Sequence, residues 1–153
     1  MKSLRILFDT NVILDFIVDR KPFSDEAEKA IELCMEKGFG CYIAAHTVPN
    51  LFYILRNHLS LGKRREILLE ICKMFIVVAI DSGKLVSSLS DGGFADFEDC
   101  LQHECAREIN ADYILTRNVA DFSSSAIPVI EPKSLMEKLQ HAASWADQAT
   151  RDR

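Results

Sequence analysis

The amino-acid sequence predicts an α/β protein, a three-layer α/β/α sandwich built on a parallel sheet of four to five strands. Three observations lead there. Short apolar runs alternate with longer amphipathic stretches, the rhythm of strands joined by helical crossovers. Polar clusters follow the apolar runs, as they do beyond the carboxyl ends of parallel strands. The chain of 153 residues, 48% hydrophobic and 27% charged, is long enough to bury a core without disulfides. No repeat, low-complexity tract or interdomain linker interrupts it. The expected organisation is one domain over residues 1–143 and a polar tail over 144–153.

In chain order, Leu4 to Phe8 is a short apolar run stopped by Asp9-Thr10-Asn11, which predicts a central strand ending in a polar turn. Val12 to Val18 is apolar around Asp15 and predicts a short helix. Pro22 and Ser24 open a second helix over Glu26 to Glu36, with Ala27, Ala30, Ile31 and Cys34 at helical spacing and Gly38 and Gly40 ending it. Cys41 to Ala45 suits a second strand. His46-Thr47 then starts a helix that carries Leu51, Phe52, Ile54 and Leu55 and stops near Gly62. Another runs from Lys63 to Phe75.

Ile76 to Ala79 predicts a third, buried strand, because it lies within the longest apolar run, Met74 to Ile80. Ser82 to Ser90 forms a short helix before the Gly92-Gly93 break. Asp96 to Asn110 is helical, with Phe97, Leu101, Cys105 and Ile109 on one stripe. Tyr113 to Leu115 is a fourth strand, Pro128 to Ile130 a short fifth, and Pro132 to His141 the closing helix.

Several classes are excluded by these patterns. No apolar run approaches the roughly 18–20 residues that a membrane helix needs, so no membrane partner is expected. The apolar start meets Asp9 after a few residues and no small-residue cleavage site follows, which argues against export. Five cysteines at irregular spacing form neither zinc pairs nor a disulfide framework and predict a reduced, cytoplasmic setting, with Cys72 and Cys100 acting as small hydrophobes. The net charge of −5 argues at first against a nucleic-acid partner.

The distribution of the acids weakens that objection. Asp9-Thr10-Asn11 follows the first strand, Asp96-Phe97-Glu98-Asp99 opens the late helix, and Thr116-Arg117-Asn118 with Asp121 follows the fourth strand. From Asp91 to Asp112 there are seven acids against one arginine. Carboxylates gathered beyond strand ends repel one another, and hard oxygen donors with little histidine or cysteine nearby suit Mg²⁺ or Mn²⁺. Each cluster also has a plainer reading. Asp96 and Asp99 have the spacing of a helix cap and its third residue, while Asp9, Asn11, Asn118 and Asp121 suit caps and turns.

Ile6-Leu7-Phe8-Asp9-Thr10-Asn11-Val12-Ile13-Leu14-Asp15 resembles the opening of PIN domains. Asp96-Phe97-Glu98-Asp99-Cys100-Leu101-Gln102, with Ala106 after it, resembles their second acidic signature. Ile114-Leu115-Thr116-Arg117-Asn118-Val119-Ala120-Asp121-Phe122, followed by Ile127-Pro128-Val129 and Pro132, resembles the third. Three signatures in order over residues 4–140 are specific where a lone Asp-Thr-Asn is not. The chain is similar to the VapC-type toxins of bacterial toxin–antitoxin pairs.

The resemblance implies a PIN-like fold and a ribonuclease that depends on Mg²⁺ or Mn²⁺. It makes Asp9, Asp99 and Asp121 the catalytic metal ligands and leaves Asp96 open between ligand and cap. Thr10, Asn11, Thr116 and Asn118 become substrate-positioning groups, while Arg117, beside the site, is read as a phosphate contact and Asn50 as a further substrate-binding candidate. It also implies RNA as substrate, a cognate antitoxin and a homodimer. One departure stands out: Asn50 occupies the position where the family commonly places a glutamate, which predicts weaker metal binding.

Arg56 to Lys73 carries a local charge of +3 and could contact phosphate, although a short basic run is more often a solvated face. Phe52 and Tyr53 fall at helical spacing with Leu51 and Leu55, which favours packing over base stacking. Two other functions compete. A non-catalytic PIN-like RNA-binding or scaffold domain is made credible by Asn50. A phosphoryl-handling receiver-like domain also gathers acids at strand ends, but no lysine follows the last strand where such a site needs one.

Overall fold

The computed structural model describes residues 3–151, with side chains described outside 143–147. Five strands form one parallel sheet: β1 (Arg5–Phe8), β2 (Gly40–Ala44), β3 (Ile76–Val78), β4 (Tyr113–Leu115) and β5 (Val129–Ile130). Their order across the sheet is β3-β2-β1-β4-β5, so the first strand is central as its apolar run predicts. The helices are α1 (Thr10–Val18), α2 (Phe23–Glu36), α3 (Thr47–Ile54), α4 (Leu61–Met74), α5 (Ser82–Ser90), α6 (Phe97–Glu108) and α7 (Pro132–Arg151). Short 3₁₀ turns at Leu55–Asn57 and Val119–Phe122 complete the order.

Alternation along β1 divides the interior into two layers. Ile6 and Phe8 join the larger core with residues of α1, α2, α3, α4 and α7, whereas Leu7 joins the smaller one with Ala44, Val78, Ile114 and the α6 residues Cys105 and Ala106. Helices therefore cover both sheet faces, and the strands between them read as continuous apolar runs. Parallel register places the carboxyl ends of β1 and β4 side by side, with Phe8 opposite Leu115. The next residues, Asp9 and Thr116, emerge together at that edge.

Three expectations need correction. The Ile76 strand is not a buried one, because β3 lies at the sheet edge and leaves Ile76 55% exposed. Cys72 is exposed on α4 rather than packed among hydrophobes, while Cys100 is buried as expected. The closing helix runs to Arg151, ten residues past His141. Alanine, glutamine and arginine are good helix formers, and a polar stretch made from them need not be a loose tail.

Phe8 is fully buried and packs edge-on against Phe75 at 5.1 Å between ring centres. Phe8→Ala is expected to lower the unfolding free energy by about 3–5 kcal/mol, read from urea denaturation.

Candidate active site

Asp9 leaves the end of β1 and caps α1. Its own N–H donates to the Leu115 carbonyl at 2.9 Å, fixing the turn against β4. Its carboxylate accepts three hydrogen bonds: from Thr10 N–H at 2.8 Å, from the Thr116 hydroxyl at 2.8 Å and from the Asn11 amide at 3.2 Å. A carboxylate so engaged has little rotational freedom. Burial pushes its pKa up, the Thr116 and Thr10 bonds oppose that rise, and the charges of Asp121 and Asp96 reinforce it.

Asp99 stands in the first turn of α6, half-buried. Burial comes first among the causes that push its pKa up to about 7, followed by repulsion from Asp9, Asp96, Asp121 and Glu98. The Asp96 carboxylate accepts from Asp99 N–H at 3.1 Å, so the structure shows Asp96 as the cap of α6. Asp121 lies exposed on the 3₁₀ turn after Asn118, within electrostatic reach of both Asp9 and Asp99.

Asp9, Thr10, Asn11, Asp99 and Asn118 line one cleft of about 180 Å³, together with Leu14, His46, Ile54, Glu98 and Gln102. This lining contains no lysine or arginine, and burial lowers the pKa of His46, favouring its neutral form. Thr116 stands behind Asp9, accepting from Asn11 at 3.2 Å and from Asn118 N–H at 3.1 Å. The oxygen donors present suit a hard divalent cation, and the repulsion that raises both Asp9 and Asp99 is what such a cation would relieve. Among the described residues, no three His, Cys, Asp or Glu side chains form a ready-made ligand group. The site is an open acidic cleft rather than a closed cage.

Two residues singled out in the sequence sit elsewhere. Asn50 is half-buried on α3 and does not line the cleft. Arg117 does not line it either, because its guanidinium is committed to the buried Asp15, with Nε 2.6 Å and Nη2 3.3 Å from the carboxylate oxygens, and lies 4.3 Å over the Phe23 ring. The Arg117 backbone N–H does bond the Asn11 side chain at 3.2 Å.

Members of the basic stretch are similarly engaged. Arg64 donates to the Phe52 carbonyl at 2.8 Å and stacks on its ring, while Arg56 lies 3.8 Å over the Tyr53 ring.

Sequence reasoning missed the polar bridge beneath the cleft. Gln102 Nε2 donates to Thr10 Oγ1 at 3.1 Å and Thr47 Oγ1 at 3.0 Å, and the two hydroxyls are 3.0 Å apart. Its available signals were its place at the end of the second acidic signature and its spacing, because Gln102 lies three residues after Asp99 and so shares its helix face. His46 could have been found as the polar residue that follows β2, on the same edge as Asp9 and Thr116.

The fold and cleft together define a parallel α/β domain with carboxylates converging beyond its central strands. The chain belongs to the PIN domain family, whose model matches residues 5–120. It is 22% identical over 142 residues to Ribonuclease VapC1 of Aquifex aeolicus, covering 90% of this chain and 97% of that protein. Among solved structures it is similar to VapBC2 of Rickettsia felis bound to a promoter DNA fragment, with TM-score 0.64 and 17% identity over 84% of this chain and 98% of that one. VapBC-1 of nontypeable Haemophilus influenzae gives TM-score 0.64 and 16% identity over 85% and 99% of the two chains. The five-stranded parallel sheet with helices on both faces is the PIN-like fold of these VapC structures.

Two outcomes follow from the electrostatics. Arg117→Ala leaves the Asp15 charge buried alone and is expected to cost about 3 kcal/mol of stability, whereas the paired change Asp15→Leu with Arg117→Met recovers most of it, read by denaturant titration. Asp99 is protonated more readily in the folded than in the unfolded chain, so metal-free stability falls as pH rises from near 3.8 to about 7. Asp99→Asn is therefore expected to raise the thermal midpoint in EDTA more at pH 8 than at pH 5.

Proposed function

We propose that this protein is a divalent-metal-dependent endoribonuclease, the cytoplasmic toxin of a toxin–antitoxin pair, that cleaves RNA and works as a homodimer held in check by a cognate antitoxin. The observation that carries this reading is the pairing of Asp9 and Asp99 in one cleft whose lining has no lysine or arginine to offset them. Family membership and likeness to a protein named Ribonuclease VapC1 support the nuclease assignment. Likeness to structures of toxin–antitoxin complexes supports the antitoxin.

Asp9, Asp99 and Asp121 are the residues to hold Mg²⁺ or Mn²⁺. When bound, such an ion lowers the pKa of water and offsets charge that builds on a phosphoryl oxygen. The chain supplies the rest. Thr116, Thr10 N–H and Asn11 hold the Asp9 carboxylate in a fixed orientation, so little reorganisation is needed when substrate arrives. Asn118, exposed at the cleft, offers its amide to a phosphate oxygen.

Asp96 contributes charge to the site while its carboxylate caps α6.

Purified protein is expected to cleave RNA in Mn²⁺, to stop in EDTA and to resume on metal addition. Asp9→Asn should reduce cleavage to background while the circular-dichroism melting curve keeps its cooperativity. Undiminished metal-dependent cleavage by Asp9→Asn would overturn the assignment. RNA binding without cleavage at saturating Mn²⁺ would favour the non-catalytic reading. A small companion gene product that co-purifies and suppresses cleavage would identify the antitoxin.

A further inference from the structure

Gln102 is 1% exposed in the wall of the acidic cleft. Its two amide protons are spent on the hydroxyls of Thr10 and Thr47. Its carbonyl oxygen Oε1 is buried and has no hydrogen-bond partner among the described residues. A buried acceptor left without a donor is costly, and its retention needs an explanation.

His46, in the same lining, repeats the pattern. Its Nε2 faces the Glu98 carbonyl at 3.2 Å and must carry the proton, since a carbonyl only accepts. Its Nδ1 is then a buried lone pair, also unpartnered. With the Asp9 and Asp99 carboxylates, the walls of this cleft present mainly acceptors beside the exposed Asn118 amide, and a ligand that completes them must bring a donor.

The sugar–phosphate backbone of DNA offers acceptors alone. Ribose adds one donor, the 2′-hydroxyl, at every nucleotide. We propose that Gln102 is a specificity-determining residue whose Oε1 accepts a hydrogen bond from the ribose 2′-hydroxyl of the nucleotide seated in the cleft, selecting RNA over DNA. This rests on the ribonuclease reading above and gives it a chemical basis for substrate class.

With Nε2 on both threonine hydroxyls, the amide leaves its oxygen for the ligand. Oε1 is closed off in the unliganded cleft, so the ribose reaches it as the amide turns about its soft last torsion, which also shifts Nε2 on the hydroxyls. A deoxyribose leaves the acceptor as unpaired as it is in the free protein, so it gains nothing where ribose gains a hydrogen bond.

The test compares three fluorescein-labelled pools of short random oligonucleotides: 2′-hydroxyl, 2′-fluoro and 2′-deoxy. The fluoro sugar keeps the RNA-like pucker but has no donor. Binding is read by anisotropy in Mn²⁺, with strand integrity followed on denaturing gels. The wild-type protein is expected to bind the hydroxyl pool about tenfold more tightly than either other pool. Gln102→Ala is expected to bind all three within about twofold of one another.

Thr47→Val loosens the amide without deleting its oxygen and should give an intermediate preference, which keeps the test available if Gln102→Ala does not fold. Equal binding of the fluoro and hydroxyl pools by the wild type, an undiminished preference in Gln102→Ala, or no binding of any pool would each overturn the proposal. Intact strands with a clear hydroxyl preference would refute the nuclease reading and leave this one standing.

Discussion

The buried Asp9 carboxylate is the constraint around which the rest of the site is arranged. A charge in that position is tolerated because backbone and side chains converge on it: the first N–H of α1, the Thr116 hydroxyl beyond β4 and the Asn11 amide. Those partners come from α1, which follows β1, and from the residue just after β4, so the register of β1 against β4 is a requirement of the site as much as of the sheet. The same contacts oppose the rise in pKa that burial alone would impose. An apolar substitution at Thr116 would therefore disturb the charge state of Asp9 before it disturbed the fold.

The second half of the site depends on a helix end. Asp96 caps α6 and so fixes where its first turn begins, and that turn carries Asp99. Three residues on, Gln102 ties the helix to the N-termini of α1 and α3 through two threonine hydroxyls. The separation of the two central carboxylates is thus set by a cap at one end and a polar bridge at the other. The bridge to Thr10 and the packing of Cys105 and Ala106 against Leu7 tie α6 to β1, so Asp99 and Asp9 are positioned together.

Much of this was legible in the amino-acid order because it is local. The β1 run, the polar turn after it and the Asp96–Asp99 spacing are each readable within a few residues. Cap and ligand are not separable on spacing alone, since a carboxylate suits both, and the bond from Asp99 N–H shows that one Asp96 oxygen makes the cap. What escaped is non-local. Arg117 looked available for phosphate until its partner Asp15, 102 positions earlier, came into view. Gln102 and Thr47, 55 positions apart, meet only once the helices pack. The edge position of β3 escaped for another reason, because an apolar run reads alike in a central and a terminal strand.

The sequestration of Arg117 also shapes how the cleft meets a charged partner from a distance. With that guanidinium neutralised by Asp15, the acidic cleft of the metal-free protein has no lysine or arginine in its lining to offset its carboxylates, on a protein whose net charge is already −5. A polyanion approaching this face is slowed by long-range repulsion rather than steered by attraction. Added salt screens that repulsion beyond about 8–10 Å near physiological ionic strength. Encounter at this face should therefore tolerate rising salt, the reverse of the steep loss that basic nucleic-acid-binding surfaces show.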